Sequence, residues 1–186
     1  MEPILELHAD ASLMPTKRLA CIGGSVSVIQ HKKTRSNKPK AAAKRLLDFS
    51  IPIDYEQLEE YRVSINVLEY VAIDVGVVLA GVVSTVDKIM VYSDSQLAVK
   101  QINGQYATRN DILKEHKESV LEKLMVFNEF KVHYIPREQN KWADFLTRVC
   151  TVEKEWNKYI DIRHIEHSNY PFIKSWEEYD TFTGAE

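Results

Sequence analysis

Four carboxylates, Asp10, Glu69, Asp94 and Asp144, each adjoin an apolar segment of the chain. Asp10 closes the first apolar run, and Asp94 ends a short run of strand type. Glu69 lies one turn inside an apolar helical segment, and Asp144 opens the last helical segment. An acidic group at the edge of a core is costly to bury unless a cation compensates its charge. A divalent metal site is the simplest explanation of all four, and it makes the set a candidate catalyst.

Each acid also has an ordinary structural interpretation, which the sequence alone leaves open. Asp10 could be a turn residue at the end of a strand. Glu69 follows Asn66 at the spacing of a capping box, and Asp94 could cap the helix that comes after it. The fourth acid has an arginine four residues later, Arg148, with which it could form an ordinary helical ion pair. The joint occurrence of four acids in this order favours a shared site.

Charge is distributed unevenly along the 186 residues. The formal net charge of −3 provides no overall attraction to nucleic acid. After position 150 there are eight acidic and four basic residues, whereas positions 31 to 45 hold no acidic residue. That segment instead contains seven basic residues: Lys32, Lys33, Arg35, Lys38, Lys40, Lys44 and Arg45. It predicts a basic loop in which Lys32, Lys33 and Arg35 are candidate phosphate contacts, the alternative being a solvated hairpin tip.

The sequence offers no sign of membrane association or of secretion. The N-terminus lacks the basic stretch and uninterrupted apolar run of a secretory signal. The most hydrophobic segment, 67–83, contains Glu69 and Asp74 and is too short for a comfortable membrane span. We therefore expect a cytoplasmic protein without a membrane partner, and the oligomeric state stays open.

The pattern of apolar residues predicts three strands, then helices alternating with strands. The predicted strands are 3–9, 18–30, 46–53, 88–93 and 131–135, and the predicted helices are 66–81, 96–102, one capped at Asn110, and one from about Asn140 to about Ile162. A meander followed by helix–strand alternation predicts an α/β fold with a mixed sheet that helices cover. We expect one domain over residues 1–150, with 151–186 forming a helix continuation and a tail.

This order, with an acid on the first strand, first helix, fourth strand and last helix, resembles the ribonuclease H family. Four segments carry the resemblance: His8-Ala9-Asp10-Ala11-Ser12, Asn66-Val67-Leu68-Glu69-Tyr70-Val71-Ala72, Tyr92-Ser93-Asp94-Ser95-Gln96-Leu97-Ala98-Val99 and Arg137-Glu138-Gln139-Asn140-Lys141-Trp142-Ala143-Asp144-Phe145-Leu146. There are two departures. Ala11 stands where the family has a glycine, and Tyr134 stands where some members carry a histidine, whose role the neighbouring His133 could fill only from the other face of the strand.

The resemblance implies a five-stranded mixed sheet and a site that uses two Mg²⁺ ions, or Mn²⁺, roughly 4 Å apart. Asp10 would bridge both ions. Asp144 would share with it the ion that activates water, while Glu69 and Asp94 would hold the ion at the leaving oxygen. Small hard cations prefer such carboxylate ligands, and before metal binds the clustered charges should raise at least one carboxyl pKa.

The activity that the resemblance implies is hydrolysis of the RNA strand of RNA–DNA hybrids to 5′-phosphate and 3′-hydroxyl products. Ser12, Asn66 and Gln96 would contact the nucleic acid, the last two where 2′-hydroxyls are read in the minor groove. One alternative keeps the chemistry but acts on structured RNA or DNA, as in a mobile-element module. The other is a binding or assembly module of the same fold without turnover.

Overall fold

The computed structural model describes residues 2–33, 39–61 and 63–152. Its five strands are β1 Ile4–Met14, β2 Leu19–Lys33, β3 Pro39–Ile53, β4 Lys88–Ser93 and β5 Glu129–Tyr134. Its α-helices are α1 Tyr55–Glu60, α2 Ile65–Val83, α3 Gln96–Ile102, α4 Asp111–Leu124 and α5 Lys141–Val152, and single 3₁₀ turns lie at Pro15–Lys17 and Arg137–Gln139.

The strands form one mixed sheet in the order β3-β2-β1-β4-β5. β1 to β3 are an antiparallel meander, and β4 lies parallel to both β1 and β5. The carboxyl end of β4 therefore lies beside the central part of β1, where polar side chains from both strands can meet. This architecture confirms the sheet that the order of elements predicts.

Helix α2 forms the centre of the core on one face of the sheet. Twelve of its residues are buried, which follows from apolar residues on all sides of the helix. Gly76 lets it approach the sheet, because a Cβ there would lie 2.6 Å from the side chain of Leu7. Asp74 on α2, only 1% exposed, pairs with Lys123 of α4 at 2.7 Å, so a buried ion pair joins these two helices.

Helix α5 packs on the opposite face, over β1, β2 and β3. Gly23 allows this close approach, because a Cβ at that position would lie 2.7 Å from the backbone nitrogen of Thr147. Ser50 of β3 donates a hydrogen bond to the carbonyl of Leu146 at 2.6 Å, and Ser12 of β1 donates one to that of Thr147 at 3.1 Å. The backbone of α5 is thus fixed against three strands.

The basic segment is not the loop that the sequence predicts. β2 continues to Lys33 and β3 already begins at Pro39, so the basic residues within the strands lie on a long hairpin. Ladder hydrogen bonds between two antiparallel strands need no buried face, and a proline fits at the first residue of a strand. Apolar periodicity, which reports burial, therefore could not detect the extension. It also missed α1, a six-residue helix capped by Asp54.

One helix in the described part of the chain, α2, is long and apolar enough to cross a membrane by length and composition, yet 67% of that window is buried within the fold. The last helix is described to Val152, and its expected continuation lies outside the described residues. The domain boundary at 150 and the cytoplasmic location stay predictions.

Candidate active site

All four predicted acids line one cleft of about 560 Å³ at the carboxyl end of β4. The acids come from β1, the second turn of α2, the residue after β4, and the first turn of α5. The remaining lining residues are Ala11, Ser12, Leu13, Met14, Lys17, Leu19, Ile65, Arg137 and Arg148. The fold therefore brings together carboxylates that are far apart in the sequence.

Asp10 lies at the floor of this cleft, in the middle of β1 and opposite Gly23 of β2. It is 4% exposed, and its Oδ1 accepts a hydrogen bond from the backbone N–H of Ala11 at 2.8 Å. Burial and then the charge of Asp94 raise the pKa of Asp10 to about 7, with a smaller contribution from Asp144. The interpretation of Asp10 as a strand-end turn residue is therefore wrong.

Glu69 points one carboxyl oxygen into a buried position without a partner. Its Oε2 has no hydrogen-bond partner among the described residues. Burial first, then the charges of Asp10 and Asp94, hold the pKa of Glu69 well above its ordinary value. The capping interpretation is wrong here, since Ser64 caps α2 by accepting from the N–H of Val67.

Asp94 follows β4 and is held by Asn140. The Nδ2 of Asn140 donates to Asp94 Oδ1 at 2.7 Å and to the carbonyl of Ala9 at 3.0 Å. Asn140 is 1% exposed, so it joins β1, the end of β4 and the start of α5 inside the protein. Asp94 does not cap α3, because the Ser95 hydroxyl accepts from the N–H of Ala98.

Asp144 differs from the other three acids in that two arginines donate hydrogen bonds to its carboxylate. Arg137 donates to its Oδ1 at 2.6 Å, and Arg148 donates to Oδ2 at 2.6 Å and to Oδ1 at 3.0 Å. Burial alone would raise the pKa of Asp144, but the hydrogen bonds and charges of the two arginines outweigh it and lower the pKa. The helical ion pair that the sequence left open is thus present.

The predicted nucleic-acid contacts lie in different parts of the structure. Ser12 lines the cleft. Asn66 and Gln96 are exposed at the first turns of α2 and α3, beside the cleft-forming elements but not among the lining residues. Lys32 and Lys33 lie at the end of β2. Arg35 lies outside the described residues.

Sequence reasoning gave no role to three polar residues of the site. Arg137 and Asn140 stand inside the last motif, which was the signal available for both, whereas nothing in the local sequence marks Lys17 as a cleft residue. His133 is not among the lining residues. It stacks on Tyr92 with ring centroids 5.4 Å apart, and Tyr92 in turn stacks on His8.

The donor set fits a small divalent cation. Among the described residues a buried oxygen of Glu69 lacks a partner, and burial together with neighbouring negative charges raises the pKa of Asp10 to about 7. Both features are relieved when a cation enters, and carboxylate oxygens are the ligands that Mg²⁺ prefers. Within the described residues no three His, Cys, Asp or Glu side chains already converge tightly enough to hold an ion.

Comparisons with known proteins agree with this fold. The ribonuclease H1 of the archaeon Halobacterium salinarum is similar to 80% of this chain over 97% of its own, with 20% identity and a TM-score of 0.60. The N-terminal ribonuclease H domain of a Mycobacterium tuberculosis protein matches 77% of this chain and 89% of its own, with 21% identity and a TM-score of 0.58. LC11 ribonuclease H1, from compost, solved with an RNA/DNA hybrid, matches 78% of this chain and 93% of its own at 20% identity and a TM-score of 0.50.

These structural likenesses show the fold. The search of curated proteins found no match to the sequence. A family described as reverse transcriptase-like matches residues 57–150, just over half of the chain. The protein therefore belongs to the reverse transcriptase-like family of ribonuclease H domains.

Proposed function

We propose that this protein is a metal-dependent endonuclease that hydrolyses the RNA strand of RNA–DNA hybrids, leaving 5′-phosphate and 3′-hydroxyl ends. The observation that supports it most strongly is that four acids from four elements line one cleft. An isolated acid on a strand or helix has ordinary explanations. Two of those explanations, capping by Glu69 and by Asp94, do not hold, because serines occupy both cap positions.

The four acids would hold two Mg²⁺ or Mn²⁺ ions, and Asp10, which is close enough to both Asp94 and Asp144 for their charges to raise its pKa, would serve both ions. When bound, the ions would supply an activated water and charge compensation at the leaving oxygen. Asp94 and Glu69 would serve the leaving-group side, and Asp144 the water side with Asp10. Asn140 keeps Asp94 in place through a partly buried hydrogen bond, and the backbone of β1, paired on both sides, positions Asp10.

Nucleic acid would lie across the open side of the cleft. Lys17, Arg137 and Arg148 are its basic lining residues. Asn66 and Gln96, exposed on the neighbouring helix termini, would contact the minor groove, where 2′-hydroxyls distinguish RNA from DNA. The basic strands of the hairpin, including Lys32 and Lys33, would add phosphate contacts that weaken as salt increases, and Arg35, which lies outside the described residues, is a further candidate contact. An RNA/DNA hybrid is the partner seen with one structural relative.

The test is cleavage of an end-labelled RNA–DNA hybrid by the wild type and by Asp94→Asn. The substitution keeps the shape of the side chain and removes its charge. We expect Mg²⁺-dependent cleavage of the RNA strand by the wild type and a loss of at least about 100-fold in the variant. Asp111→Asn is the matched control, because Asp111 is exposed on the first turn of α4 and does not line the cleft.

Equal cleavage by wild type and Asp94→Asn, or none by either, would refute hybrid cleavage by this site. A panel of duplex DNA, structured RNA and hybrid decides the substrate class. The long basic hairpin favours structured RNA or DNA as the second candidate, since seven cations without acids between 31 and 45 bind phosphate regardless of sugar. Faster cleavage of either substrate than of hybrid would support that candidate.

A further inference from the structure

Arg148 occupies the carboxylate of Asp144, one of the four acids of the cleft. Its Nη2 lies 2.6 Å from Oδ2 and 3.0 Å from Oδ1 of Asp144, so both carboxyl oxygens are engaged by a single guanidinium group. Arg137 adds a third hydrogen bond, to Oδ1, at 2.6 Å. By contrast, Oε2 of Glu69 is buried without a partner in the described part of the protein. Asp10 and Asp94 each accept a hydrogen bond at Oδ1, from the N–H of Ala11 and from Asn140, whereas arginines occupy both carboxyl oxygens of Asp144.

The pairing must break before Asp144 can ligate a cation. A guanidinium and a divalent cation compete for the same oxygens, because a carboxylate that already accepts three hydrogen bonds has few lone pairs left. The Arg148 side chain is 57% exposed and lies one turn after Asp144 on the same helix. It can therefore change partner by rotating its side chain, without any movement of α5.

A phosphodiester is the natural second partner for Arg148. The planar guanidinium matches the two oxygens of a phosphate as well as it matches a carboxylate. Arg148 lines the same cleft as the acids, so a phosphate bound near them lies within the reach of its long side chain. Water would offer Arg148 only neutral acceptors in place of the Asp144 carboxylate, whereas a phosphate would offer charged ones.

We propose that Arg148 is a positioning residue that exchanges Asp144 for a backbone phosphate of the bound nucleic acid. This inference rests on the proposed metal-dependent function. Nucleic acid draws the guanidinium away and opens Asp144 to the cation, and the cation in turn releases Arg148 toward the phosphate. Because binding couplings are reciprocal, each ligand must strengthen the binding of the other by the same factor.

The test measures the affinities of Arg148→Gln for Mg²⁺ and for an RNA–DNA hybrid. The exchange predicts that these two affinities change in opposite directions. Isothermal titration of Mg²⁺ into metal-free protein, without nucleic acid, reports the competition for Asp144. We expect Arg148→Gln to tighten Mg²⁺ binding about three- to tenfold, because Asp144 loses its two-oxygen competitor and the cleft loses one positive charge. Arg148→Lys keeps the charge but not the planar guanidinium. Its Mg²⁺ affinity should lie between those of the wild type and Arg148→Gln.

Hybrid binding is then measured by fluorescence anisotropy in EDTA, where no divalent ion is available. We expect Arg148→Gln to bind a short RNA–DNA hybrid several-fold more weakly, with the salt dependence reduced by about one phosphate contact. Lys131→Gln is the control for charge alone, since Lys131 is exposed on β5 and pairs with Glu129 outside the cleft. It should change neither affinity appreciably.

If Arg148 only held α5 in place, Arg148→Gln would weaken the binding of both Mg²⁺ and the hybrid. That result would overturn the exchange. Unchanged Mg²⁺ affinity in Arg148→Gln, with Mg²⁺ binding clearly measurable, would also overturn it while leaving the proposed function intact. No Mg²⁺ binding by wild type or variant would refute the metal site itself, and the exchange with it.

Discussion

Replacing Asp10 by asparagine should abolish cleavage and at the same time stabilise the metal-free protein. Asp10 is 4% exposed and its charge is opposed by burial, by Asp94 and by Asp144, so its ionised form is unfavourable in the folded state. Asparagine has nearly the same shape, and its Oδ1 can still accept from the N–H of Ala11 as Asp10 does at 2.8 Å. The substitution thus removes the charge and keeps the packing.

The size of the effect follows from the pKa of Asp10, which rises from 3.8 to about 7 on folding. Between these values the folded state binds a proton that the unfolded state has released, so wild-type stability falls as pH rises through this window. At about 1.4 kcal/mol for each factor of ten in proton affinity, the asparagine variant gains about 2 kcal/mol over wild type at pH 5 and about 4 kcal/mol at pH 8. Below pH 3.8 the difference disappears.

Urea denaturation at pH 5 and pH 8, in EDTA and in excess Mg²⁺, measures these differences. In EDTA the gain should grow with pH. In Mg²⁺ it should shrink, because cation binding stabilises the wild type and not the variant. Asp111→Asn is again the control. Mg²⁺ should change its free energy of unfolding by the same amount as it changes that of the wild type. If Asp10→Asn is no more stable than the wild type at pH 8 in EDTA, the claim that the ionised Asp10 carboxylate destabilises the metal-free fold is refuted.

Three further substitutions test the supports of the cleft. Lys123→Met leaves the Asp74 carboxylate buried without its cation, so we expect a loss of about 3 kcal/mol in the free energy of unfolding at pH 8 by urea denaturation. That loss should diminish at acidic pH, because burial raises the pKa of Asp74. Gly23→Ala places a methyl group against the backbone of α5 and should cost about 2 kcal/mol in the same assay. Asn140→Ala releases the acid at the end of β4, and single-turnover cleavage should fall at least about tenfold with the fold retained by circular dichroism.

Much of the fold could be predicted from local sequence because burial imposes a period on the chain. The bounds of β4 and α3 were predicted to the residue, and α2 to within two residues, since capping residues and apolar spacing coincide there. The hairpin extension of β2 and β3 was not predictable in this way, because strands that leave the core carry no such period. Helix α1 is too short for a periodic signal, with Leu58 its one buried residue.

The acids of the cleft could be predicted because each sits in a motif of its own, whereas their mutual arrangement could not. That Asn140 would join Asp94 to β1 depends on a buried contact between positions 46 residues apart. The Arg148 pair with Asp144 follows from their spacing on one helix, but that Arg137 would also turn to Asp144 depends on the path of the chain from β5 into α5. Local patterns identify donors and acceptors, but the pairing among them is decided by tertiary packing.

The central claim is that this cleft holds a pair of divalent cations, and anomalous diffraction from crystals soaked in Mn²⁺ tests it most directly. We expect two anomalous peaks about 4 Å apart, with an oxygen of Asp10 bound to both and Glu69 and Asp94 beside them. Absence of any peak at Asp10 in fully soaked crystals, or ions bound only at acids elsewhere on the surface, would contradict the account.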